Sequence, residues 1–238
     1  MAIHHVLLTG ADGRIGRVLS IALAERYQLR RMLHRTPPTG LPSDTIVAEL
    51  ENFDALLSAT VSTDAIVHLA ANPRTTAAFE EVLGPNIIGT YNLFEAAHRN
   101  RVQRIIFAST NHVTGMYERD DALILPELPV RPDSLYGVTK VYGEALGRYY
   151  HDTFGMAVIC LRIGSFVPRP TTARTLRTWI SQRDMIQITM RALEANIDFG
   201  IYYAISGNTR RQWDITNARR ELGYQPEDDA EVFASDIK

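Results

Sequence analysis

The chain has 238 residues, of which 45% are hydrophobic and 22% charged. These are ordinary globular values, so pervasive disorder is excluded, and the length allows one large domain or one domain with a small appendage. The formal net charge of -2 lacks the basic footprint of a nucleic-acid or membrane-surface binder, and the single cysteine, Cys160, excludes an internal disulfide framework or a cysteine zinc site.

Residues 3–9 predict a strand that runs into glycine. Residues 15–27 carry Ile15, Val18, Leu19, Ala22 and Leu23 at helical spacing. Residues 28–33 predict a second strand, residues 36–44 a loop rich in Pro, Gly and Ser, and residues 45–48 a short strand. Asn52 suits the N-cap of a helix over 52–59. A buried strand is expected at 65–70, then a helical region over 75–100 that Pro85 interrupts, then a strand at 104–109. Periodicity is lost over 111–133, where prolines fall at 126, 129 and 132. A long helix over 134–154 and a strand over 157–163 follow; Cys160 falls mid-strand, a core position. After an irregular loop over 165–174 come a helix over 181–196, a strand over 200–205 and a short helix over 217–222. The acidic tail past Pro226 is expected to dock only in part.

Strand–helix alternation at this spacing implies right-handed crossovers and a parallel sheet covered on both faces. The expectation is one α/β domain over 1–238: residues 1–163 form the main core, and 164–238 a small covering region with the last strand. No stretch reaches the roughly 18 apolar residues of a membrane span, and no leader pattern opens the chain, so a cytoplasmic protein is expected. His4 and His5 are adjacent in a strand and point to opposite faces; with no acidic cluster beside them, no metal site is expected.

The turn Thr9-Gly10-Ala11-Asp12-Gly13-Arg14-Ile15-Gly16 follows the first strand and opens the first helix. In that setting Gly10 permits the tight turn, Gly13 lets backbone approach a pyrophosphate, and Gly16 lets the helix pack closely on the sheet. Free helix amides and the helix dipole favour an anion there. The pattern predicts a Rossmann-type doubly wound sheet that binds a dinucleotide. The end of the second strand, where an acid would bond the adenosine ribose, carries Leu33, His34 and Arg35 instead. Arg35, with Arg14 from the glycine loop, suits a 2′-phosphate, so NADP is the preferred cofactor and NAD the alternative.

Tyr136 and Lys140 stand four apart at the start of the long helix and share one face. An ammonium beside the phenol favours tyrosinate and is expected to lower its pKa, which suits a base that removes a hydroxyl proton. Ser109, Thr110, Asn111 and His112 lie at the end of a predicted strand, where ligands of open parallel sheets bind.

Together the TGxxGxxG turn, the YxxxK pair and the strand-end hydroxyl resemble the extended short-chain dehydrogenase/reductases, which include NAD-dependent epimerases and dehydratases. The segments 86–93, 107–112, 131–140 and 161–165, with the loop ending at Arg174, are similar to uronate dehydrogenases and related sugar dehydrogenases. The resemblance implies Tyr136 as the base, Lys140 as its activator and Thr110 as the hydroxyl partner. It implies cofactor contacts at Gly10, Asp12, Gly13, Arg14, Ile15, Gly16, His34, Arg35, Glu49, Leu50, Leu69, Ala70, Ala71, Asn86, Tyr136, Lys140 and Ile163. It implies substrate contacts at Pro73, Arg74, Thr110, Asn111, His112, Ser165 and Arg174. Glu49 stands where the resemblance has an aspartate facing adenine, and Pro73 where it has a substrate-contacting serine. Arg74 and Arg174 suit a sugar phosphate as well as a uronate.

The expected activity is oxidation of C1 of a small anionic sugar to a lactone, with a uronate first and a hexose 6-phosphate second. A nucleotide-sugar epimerase or dehydratase is the alternative; the short span after Lys140 leaves little room for a nucleotide handle. A non-catalytic redox sensor is a further alternative, disfavoured because Tyr136 and Lys140 are both present. The superfamily also implies a homodimer or higher homo-oligomer through the long helix.

Overall fold

The computed structural model describes residues 3–34, 44–120 and 122–237. Seven parallel strands form one sheet in the order β3-β2-β1-β4-β5-β6-β7. They are β1 (His5–Thr9), β2 (Gln28–Leu33), β3 (Thr45–Val47), β4 (Ala65–His68), β5 (Arg104–Thr110), β6 (Ala157–Ile163) and β7 (Phe199–Ala204). The strand order reverses direction beside β1: β2 lies on one side of it and β4 on the other. A crevice opens at such a switch point, outside the carboxyl ends of the strands.

Helices cover both faces because successive strand residues point to opposite sides. Leu8, Ile106 and Ile159 pack with Leu19 and Leu23 of α1 (Arg14–Ala24) and Met185 and Ile188 of α7 (Gln182–Glu194). Leu7, Ile105 and Phe107 face the other way, onto Leu56 of α2 (Phe53–Ala59), Phe94 of α4 (Gly89–Arg99) and Tyr150 of α5 (Leu135–Phe154). Each such side chain, fully buried, contributes about 1.5–3 kcal/mol. Cys160 lies in the second of these clusters.

Asn52 caps α2, its side chain accepting from Ala55 N, and Ser134 caps α5 in the same way toward Gly137 N. The interruption at Pro85 takes the form of a widened helical segment, Leu83–Ile88, between α3 (Phe79–Val82) and α4. A five-residue hydrogen-bond step accommodates the missing proline amide and turns Asn86 inward. The aperiodic stretch after β5 opens with tight turns over Asn111–Arg119. A short helix not expected from the sequence, α6 (Ala173–Thr178), closes the loop after β6; Thr172 caps it through Thr175 N.

The tail docks more closely than its acidic composition predicts. The main-chain amides of Glu227 and Asp228 donate to the Asp184 carboxylate at the start of α7, and Arg183 pairs with Asp228. Ala230 is fully buried. Among the described residues, no helix is long and apolar enough to cross a membrane.

Candidate active site

A cleft of about 860 Å³ runs along the carboxyl ends of β1, β4, β5 and β6. Its first wall is the glycine turn. Gly10 has a positive φ of 66°, and a Cβ there would lie 2.9 Å from Ala70 N, so only glycine closes this turn. A Cβ on Gly16 would lie 2.1 Å from Gly10 O, which presses the first turn of α1 onto the loop. Among the described residues no side chain caps α1, so its leading amides are open to an anion beside Gly13, Arg14, Ile15 and Gly16, all of which line the cleft.

Asp12, His34, Glu49, Leu50, Leu69, Ala70, Ala71 and Ile163 also line it. His34 Nε2 lies 3.8 Å from Glu49 Oε1, both side chains exposed. Asn92 holds the 49–51 segment by donating to Leu50 O and Glu51 O, each at 3.1 Å. Arg35 lies outside the described residues. Asn86 is buried behind the lining. Its oxygen accepts from Asn72 N at 2.7 Å, and its amide donates to Asn72 O and Thr139 Oγ1, each at 3.0 Å. It therefore ties the loop after β4 to α5.

At the other end, Thr110, Tyr136 and Lys140 meet in the lining. Helical spacing from the Ser134 cap carries Tyr136 and Lys140 onto one face of α5. The Lys140 ammonium sits 4.8 Å from the Phe107 ring centre and 5.8 Å from that of Tyr136. Ser109, the neighbouring hydroxyl, is committed elsewhere: it donates to Glu144 at 2.6 Å. Glu144 also forms a buried bidentate pair with Arg162, at 2.9 and 2.8 Å. Thr110 accepts from His112 N at 3.3 Å.

The electrostatics correct one expectation. Lys140 does not bring the phenol down: burial pushes Tyr136 up to about 12, and the Thr110 hydroxyl offsets only part of that. Lys140 itself is pushed down to about 8 by burial, with Cys160 and Glu144 pulling the other way. Behind it, His68 is fully buried and held neutral, its pKa pushed down to about 3 by burial and then by Lys140. Its Nδ1 meets Thr9 Oγ1 at 2.8 Å and its Nε2 has no partner among the described residues.

Pro73, Asn111, His112 and Ser165 line the outer end of the cleft. Ser165 is held against α6 by Thr178, hydroxyl to hydroxyl at 2.7 Å. The two expected anion-binding arginines are absent from the lining. Arg74 is paired with Glu81, and Arg174 forms a bidentate pair with Glu118, both contacts at 2.7 Å. Sequence reasoning also missed lining residues Asn72, Glu81, Phe166 and Val167. Nearness to Pro73 and Ser165 could have marked Asn72, Phe166 and Val167, whereas nothing beside Glu81 in the sequence points to the cleft.

A model described as the NAD dependent epimerase/dehydratase family matches residues 6–213. Uronate dehydrogenase of Pseudomonas putida is 38% identical, covering 99% of this chain and 88% of that protein. An NAD-dependent glucose-6-phosphate dehydrogenase of Haloferax volcanii is 38% identical, covering 96% and 95%. The crystal structure of uronate dehydrogenase from Agrobacterium tumefaciens superposes with a TM-score of 0.90 at 34% identity, covering 99% and 89%.

Proposed function

The chain belongs to the NAD dependent epimerase/dehydratase family, and on that premise we propose that it is an NAD(P)-dependent sugar dehydrogenase that oxidises C1 of a small anionic sugar to a lactone. One observation carries the reading: a single cleft joins the glycine turn and the free amides of α1 to Thr110, Tyr136 and Lys140. The residues fit a dinucleotide, because Gly10, Gly13 and Gly16 present bare backbone to the cleft and α1 offers uncapped donors. Gly10, Gly13 and Gly16 would hold the pyrophosphate, Glu49 and Leu50 the adenine, and Lys140 the nicotinamide ribose. When bound, the nicotinamide ring accepts a hydride from the sugar carbon.

Thr110 donates to the C1 oxygen and fixes the hydroxyl against Tyr136. The Tyr136 phenolate takes the hydroxyl proton as the carbonyl forms, and the Lys140 ammonium steadies the phenolate. Asn111, His112 and Ser165 bond the remaining sugar hydroxyls. Arg174 exchanges Glu118 for the anionic group of the substrate, in a bidentate geometry that guanidinium suits. From the last third of the chain Gly164, Ser165, Phe166 and Val167 line this end, while α7 and β7 belong to the sheet and its core.

A uronate is the first substrate of the reading, supported by relatives bearing that name, and a hexose 6-phosphate the second. NADP is the preferred cofactor because β2 ends without an acid; Glu49 at the same end keeps NAD acceptable. A homo-oligomer, supported by the exposed Tyr91, Leu135, Val138 and Tyr149 on α4 and α5, completes the reading, with the cytoplasm as its expected location. The test is a panel of uronates, neutral aldoses and sugar phosphates with each cofactor. Reduced cofactor is expected with a uronate or a hexose phosphate, faster with NADP. No reduction with any member of the panel rejects the reading.

A further inference from the structure

His112 lines the cleft, and its ring stands edge-on to that of Tyr136 with centres 6.3 Å apart. Its Nδ1 meets both carboxylate oxygens of Asp133, at 2.9 and 2.8 Å. An ionised carboxylate only accepts hydrogen bonds, so this contact requires the hydrogen on Nδ1. In the neutral ring Nε2 then keeps its lone pair; the ring's hydrogen bonds to the described residues both run through Nδ1.

Asp133 is itself held from three sides. The Ser134 hydroxyl donates to its Oδ1 at 3.1 Å, and its main-chain amide donates to His112 O at 3.3 Å. The carboxylate rests against bare backbone at Gly115, where a Cβ would lie only 2.0 Å from Oδ2. A glycine at that point, a carboxylate pressed on it and a ring fixed by both oxygens form a built support.

We propose that Asp133 is a positioning residue that fixes His112 as the Nδ1–H tautomer, so that Nε2 accepts a hydrogen bond from a sugar hydroxyl other than the reacting one. The proposal deepens the sugar-dehydrogenase reading and rests on it for the ligand. It has a consequence for selectivity. Thr110 and Tyr136 address the oxygen on the reacting carbon, while His112 reads a second position as a donor. A sugar with a hydroxyl there binds well. An analogue with hydrogen or an acceptor-only ether at that position leaves Nε2 without its partner and binds worse.

Ring-nitrogen NMR of ¹⁵N-histidine-labelled protein, with the His112 signal assigned through a His112→Gln variant, reads the tautomer directly. The wild type is expected to show Nδ1–H. In Asp133→Ala Nδ1 loses its acceptor, and the ring is no longer held as Nδ1–H and shifts toward Nε2–H. In that variant the sugar KM should rise about tenfold while kcat stays within about twofold. Affinity for the cofactor should be unchanged, which separates this effect from misfolding. Gly115→Ala, which displaces the same carboxylate from the other side, should raise KM in the same way. A wild-type ring with hydrogen on Nε2 overturns the inference, as does an Asp133→Ala ring that stays wholly Nδ1–H, or one that shifts to Nε2–H with no change in KM. A wild-type protein that reduces no cofactor with any sugar overturns the functional reading instead, and the tautomer signal tells the two failures apart.

Discussion

His68 should make the fold sensitive to mild acid. It sits at the end of β4, fully buried between Thr9 and Phe107 on the neighbouring strands. Thr9 Oγ1 accepts from Ala70 N and also meets His68 Nδ1 at 2.8 Å, while Nε2 has no partner among the described residues. A second proton would add a charge in a site with no solvent and with the Lys140 ammonium nearby, which is why the pKa falls from 6.5 to about 3. Between those two values the unfolded chain binds a proton that the folded chain refuses. Stability from this group is therefore complete above pH 6.5 and declines as the pH falls toward 3. At about 1.4 kcal/mol per pKa unit, moving from pH 7 to pH 5 removes about 2 kcal/mol. Urea unfolding followed by the fluorescence of Trp179 and Trp213, both buried, measures this loss. His68→Asn is the comparison, because its amide oxygen can accept from Thr9 and it does not titrate. Carboxylates titrate alike in both proteins, so the wild type should lose about 2 kcal/mol more than the variant. Equal losses, within the roughly 0.5 kcal/mol error of additivity, refute the reasoning.

Three other substitutions test separate parts of the account. Tyr136→Phe removes the base and should lower kcat about 10²–10⁴-fold in steady-state assays with cofactor affinity retained; a smaller loss would reassign the base. Glu144→Ala strands the Arg162 guanidinium, which is 2% exposed, and should destabilise the fold by about 3–5 kcal/mol in urea titrations. A loss under about 1 kcal/mol would mean that water or another acceptor reaches Arg162. Gly16→Ala places a methyl 2.1 Å from Gly10 O and should cost at least about 1–3 kcal/mol, together with weaker dinucleotide binding by calorimetry. An unchanged affinity would mean that the turn is not the anion site.

Much of this architecture is legible in the sequence because its signals are local. Apolar runs such as Ala65–His68 and Ala157–Ile163 announce buried strands, and glycines at 10, 13 and 16 announce a turn whose packing needs them. Tyr136 and Lys140 meet because helical spacing alone brings them together. What escaped depends on partners distant in the chain. Arg162 and His68 sit inside apolar strands, and nothing beside them names Glu144 or Thr9 as their partners. The pairing of Arg74 with Glu81 and of Arg174 with Glu118 depends on how loops fold back over the cleft. The phenol pKa failed for a related reason: sequence shows the neighbouring ammonium but not the depth of burial that outweighs it. Pro85 marks an interruption, whereas the widened turn that aims Asn86 at Asn72 and Thr139 is set by packing.

The central claim is that hydride leaves the C1 carbon of a sugar for the nicotinamide. Glucuronate carrying deuterium at C1 tests it most directly, by mass spectrometry of cofactor and sugar after turnover. The account predicts deuterium on the reduced cofactor and an unlabelled lactone. Cofactor reduced without the label, or label retained on a sugar whose C4 configuration has inverted, would contradict it and point to epimerase chemistry.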